Sequence, residues 1–287
     1  MKFLRPETLG EAAALAREHE DAKFISGGTA VVLMLQQRLI FPTHLISLTG
    51  VTDVPGWREV RRTETGLRIG GGVLLSAVAR SAHVRELAPS LASAAGVVGN
   101  ARIRNQATTG GNVAESDYAS DPPSVLVSLG ATVEVDDGTA ARIVPAAEMF
   151  TDFFTTDLRT GEVVTAVHVP AAGPGSHASY TKFCSRSAED RPCVGVATAA
   201  RLQDGVLASL EVVLGAVAAI PQRWPEVTRA ALGRPLDEQV AQEVAEEYAM
   251  LVDPIDDHRG SAWYRREMVR VQVRRSLLEL AGDGGAA

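Results

Sequence analysis

Two short stretches of this chain combine residue types that could hold an anion. The first is Ile25-Ser26-Gly27-Gly28-Thr29-Ala30, and the second is Thr108-Thr109-Gly110-Gly111-Asn112. A glycine pair accepts positive φ and removes the Cβ atoms that would keep a ligand off the backbone. Successive amides exposed at a strand-to-helix turn form a nest for negative charge, and the helix that follows adds a favourable field. Thr29 adds a hydroxyl. Neither stretch is a GxxxxGK[ST] loop, and neither gives GxGxxG, so the known nucleotide fingerprints are absent. Either pair alone also suits a plain turn, and Gly70-Gly71-Gly72 reads most simply as one.

These stretches must be positioned by ordered elements. Thr8 to Glu11 is a capping box that opens a helix running to His19. Lys23 to Ser26 reads as a strand, Thr29 to Leu39 as a helix with Val32, Leu35 and Leu39 on its apolar face, and His44 to Leu48 as a strand. The first glycine pair therefore sits at a strand-to-helix junction. Farther on, Gly66 to Ile69 is a strand, Ser76 to Glu86 and Pro89 to Val98 are helices, and 100–112 is a long polar loop. Asp121-Pro122-Pro123 starts a helix to Leu129, with Asp121 as its N-cap. Ala131 to Val135 and Ala141 to Val144 pair across Asp137-Gly138. Pro170 to Gly175 is the clearest linker and places a boundary at about 170–178. Beyond it, Ser179 to Phe183, Val194 to Leu202 and Val206 to Val217 form antiparallel strands. Helices follow over Asp237 to Leu251 and Ser261 to Leu280. The expected class is α+β.

Composition narrows the function. The chain has 287 residues, 46% of them apolar, which suffices for two domains with real cores. Its net charge of −7 argues against nucleic acid as the main partner. No apolar run reaches membrane-spanning length, and the first residues lack a secretory layout, so a cytoplasmic protein is expected. The 2 cysteines, Cys184 and Cys193, and 6 scattered histidines make no recognisable iron–sulfur or zinc site. No metal ligands are assigned.

Taken in order, Ser26–Leu39 (SGGTAVVLMLQQRL), Ala107–Ala131 (ATTGGNVAESDYASDPPSVLVSLGA), Gly161–Pro170 (GEVVTAVHVP) and Tyr180–Asp190 (YTKFCSRSAED) resemble the flavoprotein, or medium, subunit of the molybdenum hydroxylase family. Relatives in that family serve xanthine dehydrogenase and aerobic carbon monoxide dehydrogenase. The resemblance spans nearly the whole chain. It implies a PCMH-type FAD-binding unit over 1–172, in subdomains of about 1–55 and 56–172, and a smaller α/β C-terminal unit over 176–282. It also implies that the two glycine loops grip the FAD diphosphate from two sides. Carried over by position, the cofactor residues are Ile25, Ser26, Gly27, Gly28, Thr29, Ala30 and Val31 in the first loop. Thr108, Thr109, Gly110, Gly111 and Asn112 form the second. Asp121 matches an aspartate that contacts FAD, Val164 an apolar residue beside the flavin, and Lys182 a lysine that reaches the isoalloxazine. Val98 and Ile103 complete the lining, while Arg186 and Asp190 are weaker matches.

The resemblance further implies a heteromeric molybdenum hydroxylase. A large subunit with the molybdenum cofactor would oxidise substrate, and a small subunit would carry two [2Fe–2S] clusters, as a dimer of heterotrimers. This chain would pass electrons onward to NAD⁺, quinone or another acceptor, with no residue acting as substrate acid or base. Some relatives have GGHS where this chain has Gly27-Gly28-Thr29-Ala30, and the missing histidine favours non-covalent FAD. Arg191-Pro192 replaces an aromatic found after Asp190 in some relatives, which leaves the acceptor open. With 2 cysteines the chain cannot supply the extra cluster of the 4-hydroxybenzoyl-CoA reductase branch. Two alternatives stand beside this reading: a self-contained FAD oxidoreductase of the same fold, for which no base stands out, and a binding module that has lost FAD.

Overall fold

The computed structural model describes residues 1–284. The chain begins with strand β1 (Lys2–Leu4), helix α1 (Leu9–Glu18), β2 (Ala22–Ile25), α2 (Val31–Gln36) and β3 (His44–Ser47). The three strands form a parallel sheet in the order β1-β3-β2. Thr8 caps α1 through the expected reciprocal box with Glu11. Leu9, Ala12, Ile46, Leu48 and Trp57 make a small core beneath this sheet.

Next come β4 (Val60–Thr63), β5 (Gly66–Gly70), α3 (Leu75–Arg80), α4 (Ala82–Leu87), α5 (Pro89–Val97), α6 (Ala101–Arg104), α7 (Thr109–Glu115) and α8 (Asp121–Ser128). They are followed by β6 (Thr132–Asp136), β7 (Ala141–Pro145), α9 (Ala146–Met149), the small hairpin β8 (Phe150–Asp152) and β9 (Thr155–Thr156), and β10 (Val163–Pro170). A five-stranded antiparallel sheet results, ordered β4-β5-β10-β6-β7, with the return strand β10 at its centre. β10 reads VVTAVHVP and is buried on both faces apart from His168 and its last residue, as a near-continuous β-branched run demands.

The C-terminal part holds β11 (Ser176–Phe183), β12 (Val194–Gln203), β13 (Val206–Gly215), α10 (Pro225–Ala230), α11 (Glu238–Leu251) and α12 (Ala262–Gly284). Its antiparallel sheet β11-β12-β13 turns at Asp204-Gly205, where both residues have positive φ, 52° and 78°. That is the twist-matched two-residue hairpin. Side chains alternate across the sheet. Val194, Val196, Val212 and Leu214 pack with α11 and α12, whereas Ala197 and Val213 join the core that contains α5 and α8. The third sheet is thereby sealed against the second layer through those two helices. The mixed α+β class is as expected.

Four local expectations are corrected. The second helix is short: it starts at Val31 rather than Thr29 and stops at Gln36, because Arg38 takes a left-handed φ of 58° and Leu39 N–H bonds back to Met34 O. This is the Schellman pattern, well before Pro42. Its predicted inner face is largely outward, with Val32 and Leu39 exposed. The expected helix over Ser76–Glu86 is two helices, broken at Ser81, whose backbone is extended and whose Oγ caps α4 by accepting from Val84 N–H. The polar loop 100–112 is mostly cap chemistry. Asn100 Oδ1 accepts from the amides of Arg102 and Ile103, and Thr108 Oγ1 from that of Gly111, so α6 and α7 form within it. Finally, Asp121 is the first helical residue of α8, not its cap. The cap is Ser120, and the Asp121 carboxylate is engaged elsewhere.

Candidate functional site

A cavity of about 1000 Å³ opens where the turn after β2, helices α6 and α7, the start of β10 and the end of β11 converge. Fifteen of the seventeen expected cofactor residues line it: Ser26 through Val31, Val98, Ile103, Thr108, Gly110, Gly111, Asn112, Asp121, Val164 and Lys182. Ile25 and Thr109 do not. Ile25 closes β2 and sits under the Gly28 turn, while Thr109 turns inward and its hydroxyl donates to Val73 O at 3.1 Å.

The two glycine loops do different work. In the first, no acceptor among the described residues takes the amides of Gly27, Gly28, Thr29 or Ala30, and all four residues face the cavity. In the second, Thr109 N–H donates to Val73 O, Gly110 N–H to Gly71 O, Gly111 N–H to Thr108 Oγ1 and Asn112 N–H to Thr108 O. The amides of Thr109 to Asn112 are thus consumed by the protein. Only the first loop keeps four consecutive amides unpaired among the described residues. The second loop packs instead: a Cβ on Gly110 would lie 2.8 Å from Val164 O, and one on Gly71 would lie 2.1 Å from the same oxygen. Gly70 and Gly72 are likewise pinned by Trp57, which supports the simple reading of that triplet as structural.

Gly27 joins the loops. A Cβ there would fall 1.8 Å from Gln106 O, so the turn after β2 and the residue before Ala107 meet backbone to backbone. Thr108 Oγ1 donates to Ser26 Oγ at 3.3 Å across the same seam. Gly28 has φ of 73°, which a side chain disfavours by about 1–2 kcal/mol. Gly28→Val is expected to lower flavin occupancy while hydrogen exchange in β12 and α12 stays unchanged; full occupancy in the purified variant would refute the loop's role.

A buried polar cluster closes one wall. Asp121, 2% exposed, accepts from Tyr180 Oη at 2.8 Å and from Lys182 Nζ at 3.2 Å. Lys182 also donates to Val97 O at 2.8 Å. The alternation of β11 sends Tyr180 and Lys182 to the same side, toward α5 and α8. Burial pushes the Asp121 carboxyl up to about 6, and the Lys182 cation opposes that rise. At pH 7 it is therefore mainly a carboxylate paired with Lys182. The sign follows: the folded state favours the protonated acid, so this contribution is complete below the ordinary carboxylate range and is lost as pH rises through about 6. Carboxyl ¹³C NMR of the flavin-free chain is expected to show one aspartate titrating near 6 that disappears in Asp121→Asn.

Asn112 Nδ2 donates to Ser120 Oγ at 2.8 Å, which leaves its buried Oδ1 with no partner among the described residues. Asn112 itself is one of the residues lining the cavity. Several wall residues escaped sequence reasoning: Trp57, Gly71, Glu115, Arg159 and Arg259. Gly71 lies in the triplet read as a plain turn, the others stand outside any glycine motif, and all come to the cavity through tertiary contacts. Burial raises the Glu115 carboxyl, with Lys23 opposing. Arg259 is held by Tyr118 and Asp257, each at 2.9 Å. Of the weaker matches, Asp190 lines the cavity, while Arg186 donates to His258 O at 3.1 Å.

Comparison with known proteins decides the family. Residues 1–172 match the FAD-binding domain in molybdopterin dehydrogenase, and residues 179–280 match the CO dehydrogenase flavoprotein C-terminal domain. The chain belongs to the FAD-binding medium-subunit family of the molybdenum hydroxylases. It is 29% identical to the glyceraldehyde dehydrogenase medium chain of Sulfolobus acidocaldarius, covering 97% of this chain and 98% of that one. It is 28% identical to the carbon monoxide dehydrogenase medium chain of Afipia carboxidovorans, covering 96% and 94% respectively. A solved structure of carbon monoxide dehydrogenase from Hydrogenophaga pseudoflava, lacking the Mo-pyranopterin moiety, contains a chain that superposes with a TM-score of 0.93. The identity is 28%, over 99% of this chain and 98% of that one.

As a family member, the chain is an oxidoreductase subunit whose cofactor is FAD. The cavity fits that cofactor on its own chemistry. Its volume lies at the upper end for small-molecule sites. The unpaired amides of Gly27 to Ala30 suit a diphosphate, and Val98, Ile103, Val164 and Trp57 offer apolar surface for rings.

Proposed function

We propose that this chain is the electron-transfer subunit of a heteromeric molybdenum hydroxylase, joining the [2Fe–2S] clusters of a small subunit to a two-electron acceptor such as NAD⁺ or quinone. Bound FAD supplies exchange of either one or two electrons, which suits that junction. The observation that carries the reading is the run of unpartnered amides at Gly27–Ala30, set in one cavity with the Asp121–Tyr180–Lys182 cluster.

In this reading Ser26 to Val31 and the second loop hold the cofactor, with the first loop donating amides and the second fixing the first in place. Lys182 holds a positive charge at the wall beside Val98, kept there by Asp121 and Val97 O. Val164 and Ile103 keep water from the ring. No side chain in the cavity is assigned to substrate chemistry, which would belong to a molybdenum-containing large subunit in a dimer of heterotrimers. The absence of histidine from residues 25–31 supports non-covalent attachment. The reading places the chain in the cytoplasm; no helix among the described residues is long and apolar enough to cross a membrane.

The test is purification of the chain with and without its genomic neighbours. The expected results are one FAD per chain, released intact by acid precipitation, and flavin reduction by substrate only when the partners are present. A chain that neither contains nor takes up flavin would overturn the proposal. Flavin reduction by NADH or an alcohol without partners would favour a self-contained oxidoreductase instead.

A further inference from the structure

A second cavity, of about 430 Å³, lies between α3, α4, α5 and α6. Helix α6 serves both cavities, giving Ile103 to the first and Ala101 and Arg104 to the second. We propose that the second cavity is a binding site for a small phosphorylated ligand. The proposal stands apart from the flavin reading.

The wall carries three guanidinium groups from three helices, Arg80, Arg85 and Arg104, together with Ser76, Ser93 and Asn105, and it includes no Asp or Glu. None of the three arginines is in an ion pair among the described residues, although the chain's net charge is −7. Their hydrogen bonds are to uncharged groups. Arg85 Nε donates to Ala79 O at 2.9 Å, Arg104 Nη1 to Val98 O at 3.1 Å and Gly99 O at 2.9 Å, and Arg80 Nη2 to Ser76 Oγ at 3.4 Å. These bonds orient the forks while leaving most of the five N–H donors of each group free. Three like charges around one cavity repel one another until an anion enters.

The chemistry favours phosphate over carboxylate. A phosphoryl group offers three terminal oxygens in a tetrahedral array, enough for forks arriving from three directions, and planar guanidinium matches it in bidentate fashion. The serine hydroxyls and the Asn105 amide can donate further. The volume lies within the range of small-molecule sites and leaves room for an organic group beyond the phosphoryl.

The test uses the FAD-saturated protein, so that the nest at Gly27–Ala30 is already filled. Titration with inorganic phosphate and with pyrophosphate, at fixed ionic strength and read by calorimetry, is expected to give one saturable site. Arg80 and Arg85 are exposed, so the double variant R80Q/R85Q is expected to keep its flavin and to bind both probes at least about tenfold more weakly. The control R201Q/R229Q removes the same charge from elsewhere and is expected to bind as the parent does. No saturable binding at millimolar probe, equal affinity in R80Q/R85Q, or equal weakening in the control would each overturn the proposal.

Discussion

Gly27→Ala is expected to abolish stable flavin binding, although it adds a single methyl group. The new Cβ would lie 1.8 Å from Gln106 O and 2.6 Å from Gln106 C, both backbone atoms that cannot rotate aside. The turn after β2 and the segment before α7 must then separate. Overpacking of this kind costs about 1–3 kcal/mol where a core can adjust, and here the adjustment is itself the damage. Separation breaks the Ser26–Thr108 contact and tilts the four free amides away from the second loop. The measurement is FAD content after purification and affinity on reconstitution. A loss of at least about tenfold, equivalent to 1.4 kcal/mol, is the expected result. Folding elsewhere is checked by hydrogen exchange in β12 and β13, which should not change. Normal flavin affinity in Gly27→Ala would mean that the two loops do not need to touch.

Lys182→Met is expected to carry the second large effect, and its pH dependence separates it from ordinary core damage. The substitution strands the Asp121 carboxylate, 2% exposed, with Tyr180 Oη as its remaining side-chain donor. Breaking one side of a buried pair typically costs about 3–5 kcal/mol. Lys182 holds the Asp121 carboxyl down against the effect of burial, so its removal drives that group above about 6. The variant therefore escapes part of the penalty by taking up a proton. Chemical denaturation of the flavin-free chain should show a large deficit relative to the parent at pH 8 and a smaller one at pH 5. Adding Asp121→Asn should restore much of the loss at pH 8, because Asn keeps an acceptor for Tyr180 without the charge. A deficit independent of pH, with no rescue, would show that Lys182 matters through packing alone. Flavin affinity measured on the same proteins then reports the role of the Lys182 charge at the cavity wall.

The two glycine motifs show where sequence reasoning reached its limit. Both read alike, each a Gly-Gly pair beside small or amide residues, and both were expected to cradle the same anion. In the fold they are unlike. The first keeps its amides free because β2 ends there and α2 begins only at Val31, so no carbonyl lies behind Gly27 to Ala30. The second gives the amides of Thr109 to Asn112 to Val73, Gly71 and Thr108, because α7 begins within the motif and packs on β5 and β10. Asp121 is a similar case. A residue of its type before two prolines has a good local use as a cap, and that use was expected. Tertiary structure overrode it by bringing Tyr180 and Lys182 from a strand some sixty residues later. The short α2, ended by Arg38 in a left-handed conformation, could not be foreseen, since arginine carries no local preference for that region.

By itself the sequence determined the class and several of the elements. The capping box at Thr8, the turn at Asp204-Gly205 and the strands β11 to β13 are local or periodic signals, set by backbone sterics and by which face must be dry. The cofactor residues expected from it came through the family resemblance, and fifteen of those seventeen line one cavity. Only the tertiary structure decided which of the two glycine loops offers free amides, that Ile25 and Thr109 face away from the cavity, and that Asp121 is paired with Lys182 rather than capping a helix. Those outcomes depend on which distant donor or acceptor each buried polar group meets. A backbone amide does not encode its partner in its own residue type, and a buried charge is stable only where the rest of the fold supplies its counter-charge.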